Sequence, residues 1–416
     1  MSSESRTDVL LIGGGIAAAS AARALREGGF DGSVVLATRE LDAPYHRPPG
    51  SKEHLRGEQD QAEALILPEG WWEENAVDLR LRTGVLSLDA GAKVAKLQTK
   101  EELAFGRALV ATGAMVRRLS VDGSGLEGIH YLRSLRNSDT IRGDLADAAE
   151  AEPDGRPRVV LVGGSYIGCE VAASLTATGT PATILMQESE PLERTFGSEI
   201  GRWVRSRLEA GGVEVRGGVD VVGFRNAEGG DGEGRVASVV LADGTAVAAD
   251  IVVAGVGAQP DAMLAKRAGL ELGESGGIRC DDRLRTSAAG IWAAGDICEY
   301  DSVLHGERVR IEHEEAAAAQ GAYVARQWLG EDAPFAEVPY FFSDLADWVS
   351  FESLGPARRW DRTVIQGSLD EDRFAVWFLE GDRARGYASF NGGGDLDAAR
   401  AVLQAGESVD AAALGG

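Results

Sequence analysis

The sequence predicts an α/β fold in which two similar βαβ units precede a smaller α+β region. Residues 8–18 and 158–168 each combine a short apolar strand, a Gly-rich turn and the start of an Ala-rich helix. Each unit then runs into a second apolar strand, at 33–37 and at 182–186. Beyond Pro334, aromatic and β-branched residues replace the Ala-rich pattern. A chain of 416 residues is long enough for these three regions.

The first Gly-rich turn has the features of a phosphate-binding turn. Gly13 permits a tight turn, Gly15 lets the backbone approach a pyrophosphate, and Ala18 allows the helix to pack closely on the strand. The N-terminus of the helix would add free N–H donors and a partial positive charge. A generic turn between a strand and a helix is the alternative, and a second copy of the pattern makes it less favoured.

The second turn follows the same order with one difference. Gly163 and Gly168 stand at its two ends, whereas Ser165 replaces the middle glycine. Its hydroxymethyl group is small enough to be tolerated in the turn. The sequence therefore predicts two Rossmann-like dinucleotide-binding domains.

The remaining elements follow from local signals. Short strand-like runs indicate a β-rich insertion at 213–215, 236–241 and 245–247. Apolar runs that end in small residues indicate buried strands at 251–258 and 290–296, and an Ala-rich stretch predicts a helix over 312–328. We assign the first domain to residues 1–116 and 246–328, the second to 117–245, and the C-terminal α+β domain to 329–416.

Charge and composition restrict the class of protein. A hydrophobic content of 44% is ordinary for a packed globular chain. The formal net charge is −24, from 66 acidic and 42 basic side chains. Because nucleic acids and anionic membranes attract basic surfaces, this charge argues against both as partners.

Cysteine use and the N-terminal segment indicate the compartment. The three cysteines, Cys169, Cys280 and Cys298, are odd in number and scattered, so neither a disulfide framework nor a metal-ligand spacing is present. The apolar run Val9–Ile12 is short and no basic segment precedes it. We expect a cytoplasmic protein with no signal peptide, membrane span or metal.

Several ordered motifs together resemble a known family. They are the two Gly-rich units, Tyr45-His-Arg-Pro-Pro-Gly-Ser-Lys52, Ala111-Thr-Gly113 and Gly295-Asp296. Over residues 6–405 the chain resembles the two-dinucleotide-binding-domain flavoproteins, and within them the NAD(P)H-dependent ferredoxin and rubredoxin reductases and apoptosis-inducing-factor-like flavoproteins. The resemblance implies FAD on the first domain and a nicotinamide dinucleotide on the second.

The resemblance also implies which residues hold the cofactors. Glu40 is the candidate for the adenosine ribose hydroxyls of FAD, with a solvated loop carboxylate as the alternative. The implied FAD residues are Gly13, Gly15, Ala18, Glu40, Arg47, Lys52, Ala111, Thr112, Gly113, Gly295, Asp296, Glu312, His313 and Phe342. The implied NAD residues are Gly163, Ser165, Tyr166, Ile167, Gly168, Glu188 and Gly257.

Lys52 and Glu170 are the expected catalytic pair. Their positions resemble a family ion pair beside flavin N5, where a lysine would stabilise negative charge on reduced flavin and a carboxylate would hold it in place. A surface ion pair that contributes little is the alternative.

Cysteine placement distinguishes branches of the superfamily. Its disulfide reductases carry a redox-active cysteine pair after the second strand, whereas no cysteine precedes Cys169 here. A dithiol relay is therefore excluded, and electrons are expected to leave directly from the flavin. Cys169 and Cys298 are expected to be buried structural thiols.

Nucleotide preference is predicted from the end of the second strand of the second unit. An NAD-selective unit places an acidic residue there to bind both ribose hydroxyls. This chain has Met186, Gln187 and then Glu188, with Arg194 further along. We expect NADH, bound through Glu188, with NADPH as the alternative.

Two positions depart from the reductase pattern. Glu314 and Phe342 stand where tryptophans are common in such reductases, which puts a tryptophan-dependent route to an iron–sulfur partner in doubt. Phe342 can still cover a ring face, and the backbone near Glu312 and His313 can still meet the flavin pyrimidine edge. For His313, a proton donor and an ordinary packed histidine are both open.

The leading functional hypothesis is an oxidoreductase that takes hydride from NAD(P)H onto FAD and passes electrons to a ferredoxin-like iron–sulfur protein. An apoptosis-inducing-factor-like NADH-binding protein with redox-controlled association, and an NADH oxidase or quinone reductase, are the alternatives, and a homodimer is one option. Ferredoxins are usually acidic, so docking would need a basic patch. The candidates are Arg308, Arg310, Arg358, Arg359, Arg383 and Arg385.

Overall fold

The first part of the chain folds into a parallel sheet with an antiparallel hairpin at one edge. A computed structural model describes residues 5–151, 155–355, 357–410 and 414; the other positions of the expected domains lie outside the described residues. The elements are β1 (Ser5–Ile12), α1 (Ile16–Glu27), β2 (Val34–Ala37), a 3-10 turn (Pro48–Ser51), α2 (Glu53–Arg56), α3 (Trp71–Glu74), β3 (Val77–Arg80), β4 (Val85–Asp89), β5 (Val94–Leu97), β6 (Glu102–Val110) and β7 (Ala114–Val116).

The strand order in this sheet is β3-β2-β1-β6-β5-β4. β1 is parallel to both of its neighbours, with Leu11 opposite Leu36 and Leu109. All three side chains are fully buried, as expected for strands covered on both faces. The turns that follow β1, β2 and β6 therefore lie at one edge of the sheet.

A second parallel sheet follows, with a three-stranded antiparallel sheet beside it. Its elements are β8 (Ile129–His130), α4 (Leu135–Ala151), β9 (Val159–Val162), α5 (Tyr166–Ala177), β10 (Ala182–Leu185), α6 (Glu193–Phe196), α7 (Ser198–Ala210), β11 (Glu214–Arg216), β12 (Val221–Asn226), β13 (Val236–Leu241), β14 (Ala246–Ala248) and β15 (Ile251–Ala254). The orders are β11-β10-β9-β15-β8 and β12-β13-β14. The run expected at 213–215 thus belongs to the parallel sheet, and the other two form the insertion.

Strand pairing moves one expected domain boundary. We assigned residues 246–328 to the first domain, but β14 pairs with β13 and β15 pairs in parallel with β9, with Val252 opposite Val160. Residues 246–254 therefore lie in the second domain's sheets. The reason is that an apolar run such as 251–254 is suited to the centre of either parallel sheet, and its sequence does not encode which one it joins.

The chain then returns to the first domain. Its elements are β16 (Ala258–Pro260), α8 (Met263–Arg267), β17 (Ile278–Cys280), β18 (Ile291–Ala293), β19 (Cys298–Ser302), β20 (Glu307–Arg310) and α9 (Glu314–Trp328). β18 pairs in parallel with β6, so the turn after β18 joins the same sheet edge as the turn after β1. α9 packs on α1 so closely that a Cβ at Gly321 would overlap the carbonyl of Ala17.

The C-terminal region is an antiparallel sheet with one helix packed on it, as predicted. Its elements are β21 (Tyr340–Leu345), β22 (Val349–Leu354), β23 (Arg362–Ser368), β24 (Arg373–Glu380), β25 (Arg383–Phe390) and α10 (Leu396–Ala405), in the strand order β21-β22-β25-β24-β23. Phe351 and Phe374 pack edge-on against Phe196 and Trp203 of the second domain, with ring centroids 5.4 and 4.9 Å apart. This aromatic contact packs the C-terminal sheet on the second domain.

Candidate active site

The first Gly-rich turn is open at its centre and closed at its ends. Gly13 has φ of 130°, and a Cβ there would overlap the carbonyl of Ala111, so only glycine fits. No described atom lies within 4 Å of a Cβ at Gly15. Helix α1 begins at Ile16 after the N-cap residue Gly15, which provides no side-chain cap, so the first N–H groups of the helix remain available to an anion. Ala18 is fully buried. The turn fits a dinucleotide phosphate.

Three other expected FAD segments meet this turn at the same sheet edge. Glu40 follows β2, Ala111–Gly113 follow β6, and Gly295–Asp296 follow β18. Since these strands are parallel, their carboxyl ends converge. The hydroxyl of Thr112 donates to the Asp261 carbonyl at 2.9 Å. This hydrogen bond ties the segment after β6 to the segment after β16.

Arg47 and Arg133 link these segments electrostatically. Arg47 Nη2 lies 2.9 Å from Glu40 Oε1, and Arg47 Nη1 donates to the Arg133 carbonyl at 2.9 Å. Arg133 Nη2 in turn lies 3.1 Å from Asp296 Oδ2. Burial, followed by the nearby charge of Arg47, lowers the pKa of Arg133. We did not predict Arg133, because it lies in the loop before α4 and carries no motif.

Lys52 and Glu170 form a buried ion pair. Lys52 Nζ lies 2.8 Å from Glu170 Oε1, and each side chain is 5% exposed. Glu170 also accepts a 2.5 Å hydrogen bond from the hydroxyl of Ser51 and another from that of Ser343. The alternative of an exposed surface pair is therefore wrong. The two serines were not predicted, since neither belongs to a motif.

The segment before α9 lies beside β21. His313 packs on Phe341, with ring centroids 4.6 Å apart, and its Nδ1 atom is buried without a hydrogen-bond partner among the described residues. Burial lowers the pKa of His313 to about 4, so the ring is neutral at pH 7. Phe342 is 36% exposed, and its ring lies 6.0 Å from Lys52 Nζ. Glu312 is exposed and pairs with Arg310.

Glu314 points away from the aromatic segment, toward the loop after β2. Its Oε1 atom lies 2.6 Å from His46 Nδ1, and its Oε2 atom accepts the Arg47 N–H at 3.0 Å. The hydrogen bond with Glu314 raises the pKa of His46. A carboxylate at this position thus fastens α9 to the Arg47 segment by accepting the Arg47 N–H, which a tryptophan, as a donor only, could not do.

The second turn has the same geometry as the first. A Cβ at Gly168 would overlap the carbonyl of Gly163, and no described atom lies within 4 Å of a Cβ at Gly257. Ser165 donates to the Gly255 carbonyl at 2.8 Å, and α5 has no side-chain cap. The turn therefore remains open to an anion.

Tyr166 and Ile167 follow this turn at the start of α5. The ring of Tyr166 packs against Phe341, with centroids 4.5 Å apart, and Ile167 packs into the same apolar cluster. Burial raises the pKa of Tyr166. The ring of Tyr166 therefore packs against the C-terminal domain.

Glu188 lies beyond the buried Met186 at the end of β10. It forms an ion pair with Arg194, whose side chain is 79% exposed. Gln187 Nε2 donates to Asp220 Oδ1 at 2.6 Å. The acidic group and the arginine that could distinguish NADH from NADPH are thus neighbours in space.

All three cysteines are free and buried. Burial raises the pKa of Cys169, which keeps the thiol protonated and unreactive. Within the described ranges, no group of three or more His, Cys, Asp or Glu side chains could hold a metal ion, and no helix is long and apolar enough to cross a membrane.

The site has two open Gly-rich turns, one on each of two parallel sheets. A buried Lys52–Glu170 ion pair links the two domains that carry them. This arrangement is that of a reductase with two dinucleotide sites. Residues 7–321 match the pyridine nucleotide-disulphide oxidoreductase family, and residues 340–415 match the reductase C-terminal domain. The chain belongs to the pyridine nucleotide-disulphide oxidoreductase family. The predicted family, fold class and enzyme class are confirmed.

Individual relatives agree with this assignment. A rubredoxin–NAD(+) reductase of Pseudomonas putida is 33% identical over 86% of this chain and 89% of its own length. Putidaredoxin reductase of Pseudomonas putida is 32% identical over 90% and 86%. A solved ferredoxin reductase from Rhodopseudomonas palustris superimposes with a TM-score of 0.90 at 30% identity, covering 98% of this chain and 96% of its own. A covalent putidaredoxin reductase–putidaredoxin complex gives 0.90 at 29% identity, covering 99% and 96%.

Proposed function

We propose that the chain binds FAD at the first Gly-rich turn and NAD(P)H at the second, and passes electrons to a ferredoxin-like iron–sulfur protein. The observation that carries the proposal is the buried Lys52–Glu170 pair, because it joins the FAD-domain segment after Arg47 to the helix that begins at the second turn. FAD, when bound, accepts a hydride from NAD(P)H and releases two electrons singly, which yields NAD(P)⁺, two reduced acceptors and one proton.

The chain's own residues have separable roles in this proposal. Gly13, Gly15 and the start of α1 hold the pyrophosphate of FAD. Arg133 and Arg47 keep Asp296 and Glu40 in place along the cofactor. Backbone groups at Glu312 and His313 meet the flavin pyrimidine edge, and Phe342 covers a ring face. The low pKa of His313, about 4, favours a packed neutral histidine over a proton donor.

Lys52 stabilises the negative charge that the flavin gains on reduction. The Lys52 amine is held 2.8 Å from a buried carboxylate. Its charge therefore stays at one position relative to the flavin. Desolvation of both side chains strengthens this electrostatic effect.

NADH is the proposed donor, with its adenosine ribose on Glu188. Arg194 lies beside Glu188 and is the group that would bind a 2′-phosphate if NADPH were preferred. Steady-state kinetics with both nucleotides test the proposal. A clear preference for NADPH would contradict it.

An acceptor of ferredoxin type is supported by the names of the relatives, which reduce rubredoxin, ferredoxin or putidaredoxin. The test is an anaerobic NADH titration of the FAD-loaded protein, followed by cytochrome c reduction with and without added ferredoxin. Fast reduction that requires ferredoxin supports the proposal. Slow turnover with a lasting long-wavelength band and a change in elution volume on NADH addition would favour the apoptosis-inducing-factor-like alternative. Fast turnover with oxygen or quinone alone would favour an oxidase or quinone reductase.

A homodimer and a cytoplasmic location remain predictions.

A further inference from the structure

The carboxylate of Glu170 is held by groups from three different parts of the chain. Ser51 and Lys52 come from the first domain, Glu170 lies on α5 of the second domain, and Ser343 lies on β21 of the C-terminal domain. Ser51 donates to Oε2, whereas Ser343 and Lys52 both donate to Oε1, with distances of 2.5, 2.5 and 2.8 Å. Ser343 is fully buried and Ser51 is 2% exposed.

Hydroxyl donors are the appropriate groups for this position. A buried carboxylate is costly unless its oxygens accept hydrogen bonds. Lys52 alone makes one short contact with the carboxylate. The hydroxyls of Ser51 and Ser343 add two more hydrogen bonds, which fix the orientation of the carboxylate plane. That orientation determines where the ammonium group of Lys52 lies.

We propose that Ser343, with Ser51, is a positioning residue for the Lys52–Glu170 pair, so that the C-terminal domain contributes directly to flavin reduction. The inference rests on the proposed role of Lys52 beside the flavin. It assigns β21 a second role besides its contacts with the neighbouring domains, because Ser343 binds the Glu170 carboxylate directly.

The test compares four FAD-loaded variants: Ser343→Ala, Ser343→Thr, Lys52→Met and the Ser343→Ala/Lys52→Met double variant. We expect Ser343→Ala to slow NADH-driven flavin reduction about tenfold, the effect of one lost hydrogen bond to a charged group. The midpoint potential of the bound flavin should become more negative, in the direction caused by Lys52→Met. Ser343→Thr keeps the hydroxyl in a strand that accepts β-branched residues, so it should restore both readouts.

The double variant separates positioning from a general structural effect. If Ser343 acts through Lys52, the double variant should be no slower than Lys52→Met alone, whereas independent effects would multiply. Ser389→Ala is the matched control, since Ser389 is buried in the same sheet and its hydroxyl has no partner among the described residues. Ser51→Ala provides a second variant should Ser343→Ala not fold.

The outcomes distinguish the inference from the proposed function. An unchanged rate and potential in Ser343→Ala, or multiplied effects in the double variant, would overturn the inference while leaving the role of Lys52 intact. Normal flavin reduction in Lys52→Met would instead overturn the role proposed for the pair itself, and with it the basis of the inference.

Discussion

At the scale of single residues, the charged side chains of the site are used in pairs. Lys52 is bound to Glu170, Arg47 to Glu40, and His46 to Glu314. Burial of the Lys52–Glu170 pair makes this contact count for more than it would on the surface and makes an unpaired partner costly, whereas solvent partly screens the other two pairs. A substitution of one residue in a pair should therefore alter the position or the protonation of its partner.

Replacing Lys52 with Met should slow flavin reduction by NADH by roughly ten- to a hundredfold, because a directed positive charge near the reacting atoms is lost. Stopped-flow absorbance at the flavin band measures the rate. Lys266→Met, on the exposed face of α8, is the matched control and should leave the rate unchanged. An unaltered rate in Lys52→Met would contradict a role for the ion pair.

The His46–Glu314 contact should make stability depend on pH. Hydrogen bonding to Glu314 raises the pKa of His46 in the folded state. The stabilisation is then fully present below the unfolded pKa of about 6.5 and is lost as pH rises through the folded pKa. Since the His46 side chain is 43% exposed, solvent screening keeps the effect modest.

Glu314→Gln tests this dependence. Its melting temperature should fall most below wild type at acidic pH, and the difference should shrink as pH rises above the folded pKa of His46. Glu371→Gln, in the exposed turn between β23 and β24, should show no such trend. A melting difference that grows with pH would show that the ion pair is not responsible.

At the scale of elements, close packing of a helix on a strand is what each Gly-rich turn requires. Gly168 lies against the carbonyl of Gly163, so α5 starts immediately beside β9. The same helix carries Glu170, two residues further on, toward the first domain. Packing at Gly168 therefore governs both the phosphate turn and the ion pair.

Gly168→Ala should destabilise the protein by about 1–3 kcal/mol, as expected for overpacking, and should weaken NADH binding. The visible spectrum of bound FAD should change little, because the first turn is on another sheet. Gly143→Ala is the control: it lies in α4, no described atom lies within 4 Å of its Cβ, and it should be neutral or stabilising. Calorimetry and NADH titration measure both effects. If the Gly168→Ala variant is destabilised but binds NADH with normal affinity, packing at this turn does not control nucleotide binding.

At the scale of the whole molecule, the net charge of −24 opposes an acidic ferredoxin. The arginines expected to form a basic patch are largely neutralised by neighbours: Arg308 pairs with Asp301, Arg310 with Glu312, Arg359 with Glu307 and Arg385 with Glu380. The global charge should therefore dominate the encounter.

Turnover with an acidic ferredoxin should then increase, or stay constant, from low to physiological ionic strength, because salt screens the repulsion between like charges. Rates measured at saturating NADH over a salt series test this. Flavin reduction in the absence of ferredoxin serves as the control and should vary less. A steep decrease of turnover with salt would show that a local basic surface dominates docking.

Local sequence determined much of the fold and part of the site. The Gly-rich turns, the ordered motifs and the absence of cysteine before Cys169 predict two dinucleotide-binding domains without a dithiol relay. These features could be predicted because each depends on residues close together in the chain, where backbone geometry and residue size set the structure.

Tertiary structure decided the rest. Ser51 and Ser343 reach Glu170 across 119 and 173 residues of sequence, and the pairing of β15 with β9 moves a domain boundary. Arg133 likewise meets Asp296 only after the first and second domains pack, and His46 meets Glu314 only after distant segments of the first domain fold together. The sequence by itself specifies the two cofactor turns, and the family resemblance implies the Lys52–Glu170 pair. Packing of three domains decides which neutral hydroxyls hold that pair, because a serine carries no signal until its hydrogen-bond partner is brought beside it.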